Sequence, residues 1–314
     1  MKRMVSFLGL LVLAGASTAP GAAAVEDGPR VARLFERTTG ATNWQLVRKV
    51  PLRFDAFHPE GLTRVGNRFV VSTVEVTEPT TKFPDGERGG TDRTAGAGRG
   101  HLIAFSASGR LLRRARLDDR ARIYHPGGLD YDGRDLWTAV AEYRPNRPSI
   151  VYRLNPRTLR PRSSFRVRDH IGGIVHDTAN RRVIGLNWGS RTAYHWTLSG
   201  RQIRSRENPS FFVDYQDCKY LGPARRRAAP LMLCSGISSY SGPDVPNLDL
   251  GGVALVDARS MRPVREIPFR LYTDQRQVAT RNALDVGIVN GRLRLYLVAD
   301  DNASDLLVYE ARGG

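Results

Sequence analysis

The sequence predicts an all-β fold, a single β-propeller of five four-stranded blades whose ring is closed by an N-terminal strand. Three observations point there. A strand–turn–strand motif recurs five times, hairpins of alternating apolar and polar residues fill the space between its copies, and an unpartnered strand stands at each end of the chain. Four strands per repeat is the blade of a propeller. Six blades is the alternative count. A β-sandwich is the main rival fold, and it would explain neither the in-register repeat nor the orphan strands.

The repeat is clearest in its first two copies. His58-Pro59-Glu60-Gly61-Leu62 and the residues up to Glu75 align without a gap on His125-Pro126-Gly127-Gly128-Leu129 and the residues up to Glu142. A third copy opens at His170-Ile171-Gly172-Gly173 and returns through Asn187. A weaker fourth runs from Tyr215 and returns through Leu231–Gly236. A fifth runs from Asn282 and returns through Leu293–Asp300. Gly66-Asn67, Asp132-Gly133 and Asn290-Gly291 are residue pairs that tolerate the positive φ of tight hairpin turns. Each of the first four copies is followed by a second hairpin, beginning near His101, Ile150, Thr192 and Gly252. The fifth has only half of one, Asp305–Glu310. Trp44–Leu52 reads as a strand with nothing before it to pair with, so it should supply the missing edge. An unpaired edge invites aggregation, which is the physical reason to close the ring.

The chain divides into three parts. Residues 1–24 read as a secretory signal peptide, with Lys2 and Arg3 ahead of an apolar run and Ala22 and Ala24 at the cleavage position. The run is shorter than the roughly 20 apolar residues a membrane span needs. Residues 25–43 form an N-terminal extension in which Val31–Glu36 suggests a helical turn, and residues 44–314 form the propeller. Two long segments, Thr77–Gly100 and Ile237–Leu250, read as loops, which at this length inside a compact domain are usually functional or disordered.

The formal net charge of +17 raises the question of nucleic acid. The basic residues are nearly all Arg, lysine being confined to Lys2, Lys49, Lys82 and Lys219. They are spread along the chain, as at Arg113, Arg114 and Arg116. That is the pattern of a solvated strand face, and no specific nucleic-acid partner is expected. The two cysteines, Cys218 and Cys234, flank a predicted hairpin around a basic turn at 223–230. In an exported protein they are expected to form a disulfide.

In a propeller the first strand of each blade lines the central channel, and its start lies beside the end of the second. His58 with Glu75, His125 with Glu142, and His170 with Asn187 should therefore meet at one channel mouth. Gln216, Asp217, Asp285, Asp300 and Asp301 should join them, and both long loops should overhang the same face. His101, His176 and His195 fall in outer or turn segments and read as surface groups. Three chemistries fit such a ring. His58, Glu60, His125 and Glu142 suit proton transfer. His58, His125 and His170 suit a divalent cation, calcium or zinc. The same residues would also serve simply to bond strands of neighbouring blades. Glu75, Asn187, Gln216, Asp217, Asp285 and Asp300 are the expected ligand-binding groups. No local motif such as H-E-x-x-H or G-x-S-x-G settles the choice.

The His58-Pro-Glu-Gly-Leu and His125-Pro-Gly-Gly-Leu hairpins resemble those of a family of secreted bacterial proteins that carry a domain of unknown function. The resemblance spans most of residues 44–312 and implies no activity. The Phe57-to-Leu62 segment is more distantly similar to the aromatic-x-x-Gly-Leu hairpins of five-bladed plant-type glutaminyl cyclotransferases, with Glu60 where that family has Gln. A likeness to lactonase- and strictosidine-synthase-type propellers is one of fold alone. The reading is thus of an exported, monomeric propeller with a His- and Glu-lined pocket, a metal-assisted hydrolase of unassigned substrate. The alternatives are a non-catalytic binding module for an extracellular glycan or peptide, and a glutaminyl-cyclotransferase-like enzyme. Tyr143, Trp188 and Tyr240 would be the aromatic floor of a binding groove.

Overall fold

A computed structural model describes residues 27–224, 229–240 and 248–312. The signal segment and the tip of the basic turn lie outside the described residues, as does the centre of the loop at 237–250. The remainder forms five four-stranded antiparallel sheets arranged as the blades of a propeller.

Blade 1 comprises β2 (His58–Val65), β3 (Arg68–Glu78), β4 (Ala97–Ser106) and β5 (Leu111–Arg116). Blade 2 is β6 (Ile123–Tyr131), β7 (Leu136–Glu142), β8 (Ser149–Leu154) and β9 (Pro161–Val167). Blade 3 is β10 (Ile171–Asp177), β11 (Arg182–Asn187), β12 (Thr192–Thr197) and β13 (Gln202–Glu207). Blade 4 is β14 (Asp214–Pro223), β15 (Pro230–Tyr240), β16 (Leu248–Asp257) and β17 (Pro263–Phe269). Blade 5 holds β18 (Ala283–Val289), β19 (Arg292–Val298) and β20 (Asp305–Arg312), and takes its outer strand from the other end of the chain, β1 (Asn43–Pro51). β1 runs antiparallel to β20 from the Asn43–Arg312 pair to the Pro51–Asp305 pair, so the two orphan segments close the ring.

The core is five slabs, one between each pair of neighbouring blades. Leu62, Val71 and Phe105 of blade 1 meet Tyr296, Val298 and Val308 of blade 5, for example. Trp137 and Val151 of blade 2 meet Ile174 and Trp196 of blade 3. The inner strands of each blade are therefore buried on both faces, as in β6 and β7, while the outer strands β5, β9 and β13 stay exposed. A short helix, α1 (Gly28–Phe35), packs Val31, Ala32 and Phe35 into the slab between blades 4 and 5.

The glycines of the repeat have a steric reason. The inner strands crowd the axis so closely that a Cβ on Gly61 would lie 2.4 Å from the Leu129 nitrogen, and one on Gly127 would lie 2.0 Å from the Gly172 carbonyl oxygen. At the centre sits Asp217, fully buried. Its carboxylate accepts from the backbone N–H groups of Leu62 (2.8 Å), Leu129 (3.0 Å) and Leu284 (2.9 Å), and from Lys219 Nζ (2.6 Å). One side chain thus ties blades 1, 2, 4 and 5 together. Cys218 and Cys234 face each other across β14 and β15 with their Cα atoms 4.1 Å apart, and are joined by a disulfide.

The expectation that His101, His176 and His195 are surface groups is corrected here. His101 and His195 are buried, and His176 is half-buried with Nδ1 bonded to Asp132 at 2.6 Å. The third strand of a blade is covered by its neighbours as fully as the second, so a position far from the axis is not a surface position.

Candidate functional site at the channel mouth

The starts of β2, β6 and β10 converge at one end of the channel around a cavity of about 450 Å³. Its walls include His58, Glu60, His125, Tyr143, His170, Asn187, Trp188, Gln216, Arg281 and Asn282. Backbone geometry fixes the entry to the first of these strands. Phe57 is held at φ 52° and Asn302 at φ 58°. The Asn302 N–H donates to the Phe57 carbonyl at 2.6 Å, and the Ala56 N–H donates to the Asn302 carbonyl at 2.8 Å. This clamp between blades 5 and 1 holds His58, the next residue, in place, and two left-handed non-glycine residues beside a cavity are a pattern associated with function.

The centre of the site is Glu60. One of its carboxylate oxygens stands 3.0 Å from His58 Nε2 and 3.1 Å from His125 Nε2. Burial alone would raise its pKa, but His125 and His58 outweigh burial and hold it far below the usual carboxylate range. Burial likewise opposes a charge on His58. The Glu60 carboxylate and a 2.9 Å contact from Nδ1 to Asp301 overcome it and lift the pKa to about 9. Arg281 steadies Asp301 from 3.2 Å. His125 is 5% exposed and stacks on Tyr143 with ring centroids 3.8 Å apart. Neither of its ring nitrogens makes an aligned hydrogen bond, although Nε2 lies close to Glu60. His170 differs. Its Nδ1 lies 2.8 Å from the Glu142 carbonyl, which can only accept, so Nδ1 carries the proton and Nε2 is an acceptor. Burial and the neighbouring His125 push its pKa down to about 3.

His58, Glu60 and His125 present three ligand atoms within 4.8 Å of one another, a group that could hold a metal ion. His170 stands outside this trio, its ring 6.0 Å from that of His125. The expected His58–Glu75 and His125–Glu142 pairs do not form. The chain bulges between Pro59 and Gly61, and again between Pro126 and Leu129. His58 then faces Val74 and His125 faces Ala141, and the next residue along points to the other side of the sheet. Glu75 instead bonds Arg99 (2.7 Å) and His101 (3.1 Å) beside an adjoining cavity of about 550 Å³, while Glu142 pairs with Arg144.

Asn187 and Gln216 line the main cavity. Asp217 lies deeper, in the hub already described. Asp285 is further down the channel with Lys219 and Asp130, at the end under α1. Asp300 accepts a hydrogen bond from Thr273. Asn282 and Arg281 were not singled out by sequence. Asn282 was nonetheless findable, because it opens the fifth copy of the repeat where His58 and His125 open theirs, and its Nδ2 donates to the Pro59 carbonyl at 2.7 Å. The loop between β3 and β4 overhangs the mouth. Arg93 sits over the Trp188 ring at 4.7 Å, and Asn146 reaches the Gly90 carbonyl at 2.8 Å.

Residues 31–312 match the model of a family of unknown function, DUF6454. The chain belongs to that family. It matches no curated protein sequence. Among solved structures it is similar to a bifunctional GH43-CE protein of Bacteroides eggerthii, with a TM-score of 0.51 and 10% identity over 83% of this chain. The chain spans about a third of that protein, 34%. A tail fiber of Staphylococcus aureus phage P68 is similar at a TM-score of 0.47 and 9% identity, covering 92% of this chain and 56% of the other. A glycosyl hydrolase from Bacteroides ovatus follows at 0.42 and 12%, covering 87% and 91%. At such identities the likeness is one of fold. The resemblance to glutaminyl cyclotransferases is not shown by these comparisons.

Proposed function

We propose that this DUF6454 protein is an exported hydrolase that works with a zinc ion held by His58, Glu60 and His125. The observation that carries the reading is His125, a buried imidazole whose nitrogens lack aligned hydrogen bonds although Nε2 is 3.1 Å from a carboxylate oxygen. Two imidazoles and one carboxylate are a donor set that suits zinc with a position left open, whereas calcium prefers all-oxygen sites. Asp301 behind His58 Nδ1 is the kind of partner that orients a metal-binding imidazole.

Bound there, zinc would polarise a substrate oxygen and bring the pKa of a water toward neutrality. The protein's own groups complete the pocket. His170, neutral and with Nε2 as acceptor, is suited to accept a hydrogen bond from a substrate hydroxyl. Asn187, Gln216 and Asn282 are amides that can orient a polar ligand, and the overhanging loop limits water. One face of Tyr143 is covered by His125 and Trp188 carries Arg93, so the aromatic rings are less free for sugar stacking than an open binding groove requires. Export is supported by the disulfide, a bond of oxidising compartments. No described helix is long and apolar enough to cross a membrane.

The test is elemental analysis of the purified mature protein, then zinc titration and a panel of esters, lactones, phosphodiesters and glycosides. One equivalent of zinc, lost in Glu60→Gln, with turnover of one class, is expected. A wild-type protein that binds no zinc overturns the metal centre. Zinc binding without turnover of any class would favour the non-catalytic binding module.

A further inference from the structure

Among the described residues, the topology gathers positive charge at the end of blade 3 opposite the channel mouth, where Asn187 ends β11. Arg182 begins β11, Arg204 and Arg206 lie on β13, and Arg259 lies in the turn between β16 and β17 of the next blade. Strand register decides which side of blade 3 they occupy. His195 on β12 faces Ile184 on one side and Arg204 on the other, and Arg182 faces Thr197. Residues two apart share a face, so Arg182, His195, Arg204 and Arg206 all project toward the same side of the sheet. Arg204 Nη2 donates to the Arg259 carbonyl at 3.1 Å, which brings the fourth arginine in from blade 4.

None of the four makes an ion pair with a carboxylate among the described residues. The nearest acid that influences them, Asp177, accepts from Tyr220 Oη (2.7 Å) and from Asn180 Nδ2 (2.8 Å). Like charges at this spacing repel, and Arg204 Nε has no hydrogen-bond partner. Beneath them His195 is 1% exposed with its Nε2 also unpartnered. Burial and the surrounding arginines, Arg204 first, push its pKa down to about 4, so it is neutral and able to act as a donor without adding charge. Arg113 on β5 and Arg166 on β9 are exposed arginines on the outer strands of other blades.

We propose that the cleft between blades 3 and 4 binds a phosphate or sulfate group through Arg182, Arg204, Arg206 and Arg259, over the buried His195. Guanidinium groups match tetrahedral oxyanions by forked hydrogen bonds, and such an anion removes the repulsion among the four. In an exported protein the group would be carried on a linear polyanion, and the site would hold the protein to it with the channel mouth left open.

The experiment measures binding of the mature protein to polyphosphate and to heparin at about 150 mM salt, where diffuse attraction is screened. Arg204→Gln/Arg206→Gln is compared with Arg113→Gln/Arg166→Gln, which removes equal charge from other blades. The first pair should weaken binding about tenfold or more and the second less than about twofold. Polyphosphate binding with this contrast identifies phosphate as the ligand group, and heparin binding identifies sulfate. The His195 ring resonances of the wild type should shift on saturation. Equal loss in the two double variants, no binding to either polymer, or binding to anionic vesicles alone would each overturn the site. Unchanged melting of both variants shows that the comparison is not one of folding.

Discussion

Glu60 holds the channel mouth together electrostatically, because a single carboxylate serves two imidazoles from different blades. Replacing it by Gln keeps the volume and removes the charge. Zinc affinity should then fall about 100-fold, as expected for the loss of a charged ligand, and calorimetry would read it. The metal-free protein should show a second effect. The folded pKa of His58, about 9, lies above its unfolded value near 6.5. The stability this contributes is fully present below pH 6.5 and is lost as pH rises through 9. In Glu60→Gln that alkaline decline should be much shallower in melting curves recorded from pH 6 to 10. Zinc must displace the same proton, so wild-type zinc affinity should rise by about tenfold per pH unit between pH 7 and 9.

At the scale of the elements, the turns and hairpins carry much of the specific bonding. Asp132, in the turn from β6 to β7, accepts from the Arg134 and Asp135 N–H groups, from Trp137 Nε1 and from His176 Nδ1. Burial opposes its charge, but the His176 bond and the turn amides hold the pKa at about 2. This stability is present above the unfolded value near 3.8 and is lost as pH falls through 2. Asp132→Ala should cost about 1–3 kcal/mol at pH 7 and less in acid, measured by urea unfolding at pH 7 and pH 3. The β14–β15 hairpin offers another test. Its cysteines are separated by 16 residues and lie opposite each other. Replacing both by Ala should lower stability by about 3 kcal/mol in the chain-entropy account, with the fold retained. A denaturation midpoint unchanged on reduction would refute that contribution.

For the whole molecule, closure is the decisive feature. β1 covers the outer edge of β20, and both terminal segments contribute to the slab between blades 5 and 1. A protein beginning after Leu52 would expose the edge of β20 and the apolar side chains that Val50 and Leu52 now cover. It should aggregate or unfold, as judged by size-exclusion chromatography and the loss of a cooperative melt. A soluble truncation that melts cooperatively would contradict the role given to closure.

The blades were readable in the chain because their causes are local. Alternation, turn dipeptides and the His-Pro-x-Gly-Leu repeat each act within a few residues, and the orphan segments at 44–52 and 305–310 named each other by having no other partner. The convergence of His58, His125 and His170 also follows from the repeat, since copies of one motif occupy one height on the ring. The details of the site depend on displacements of a single residue. Bulges at Pro59–Gly61 and at Pro126–Leu129 turned Glu75 and Glu142 away and left Glu60 between two imidazoles, and a period of two magnifies any such slip into a change of face. The burial of His101 and His195 and the gathering of Arg182, Arg204, Arg206 and Arg259 depend on contacts between blades. Those contacts join residues far apart in the chain, where local pattern carries no information.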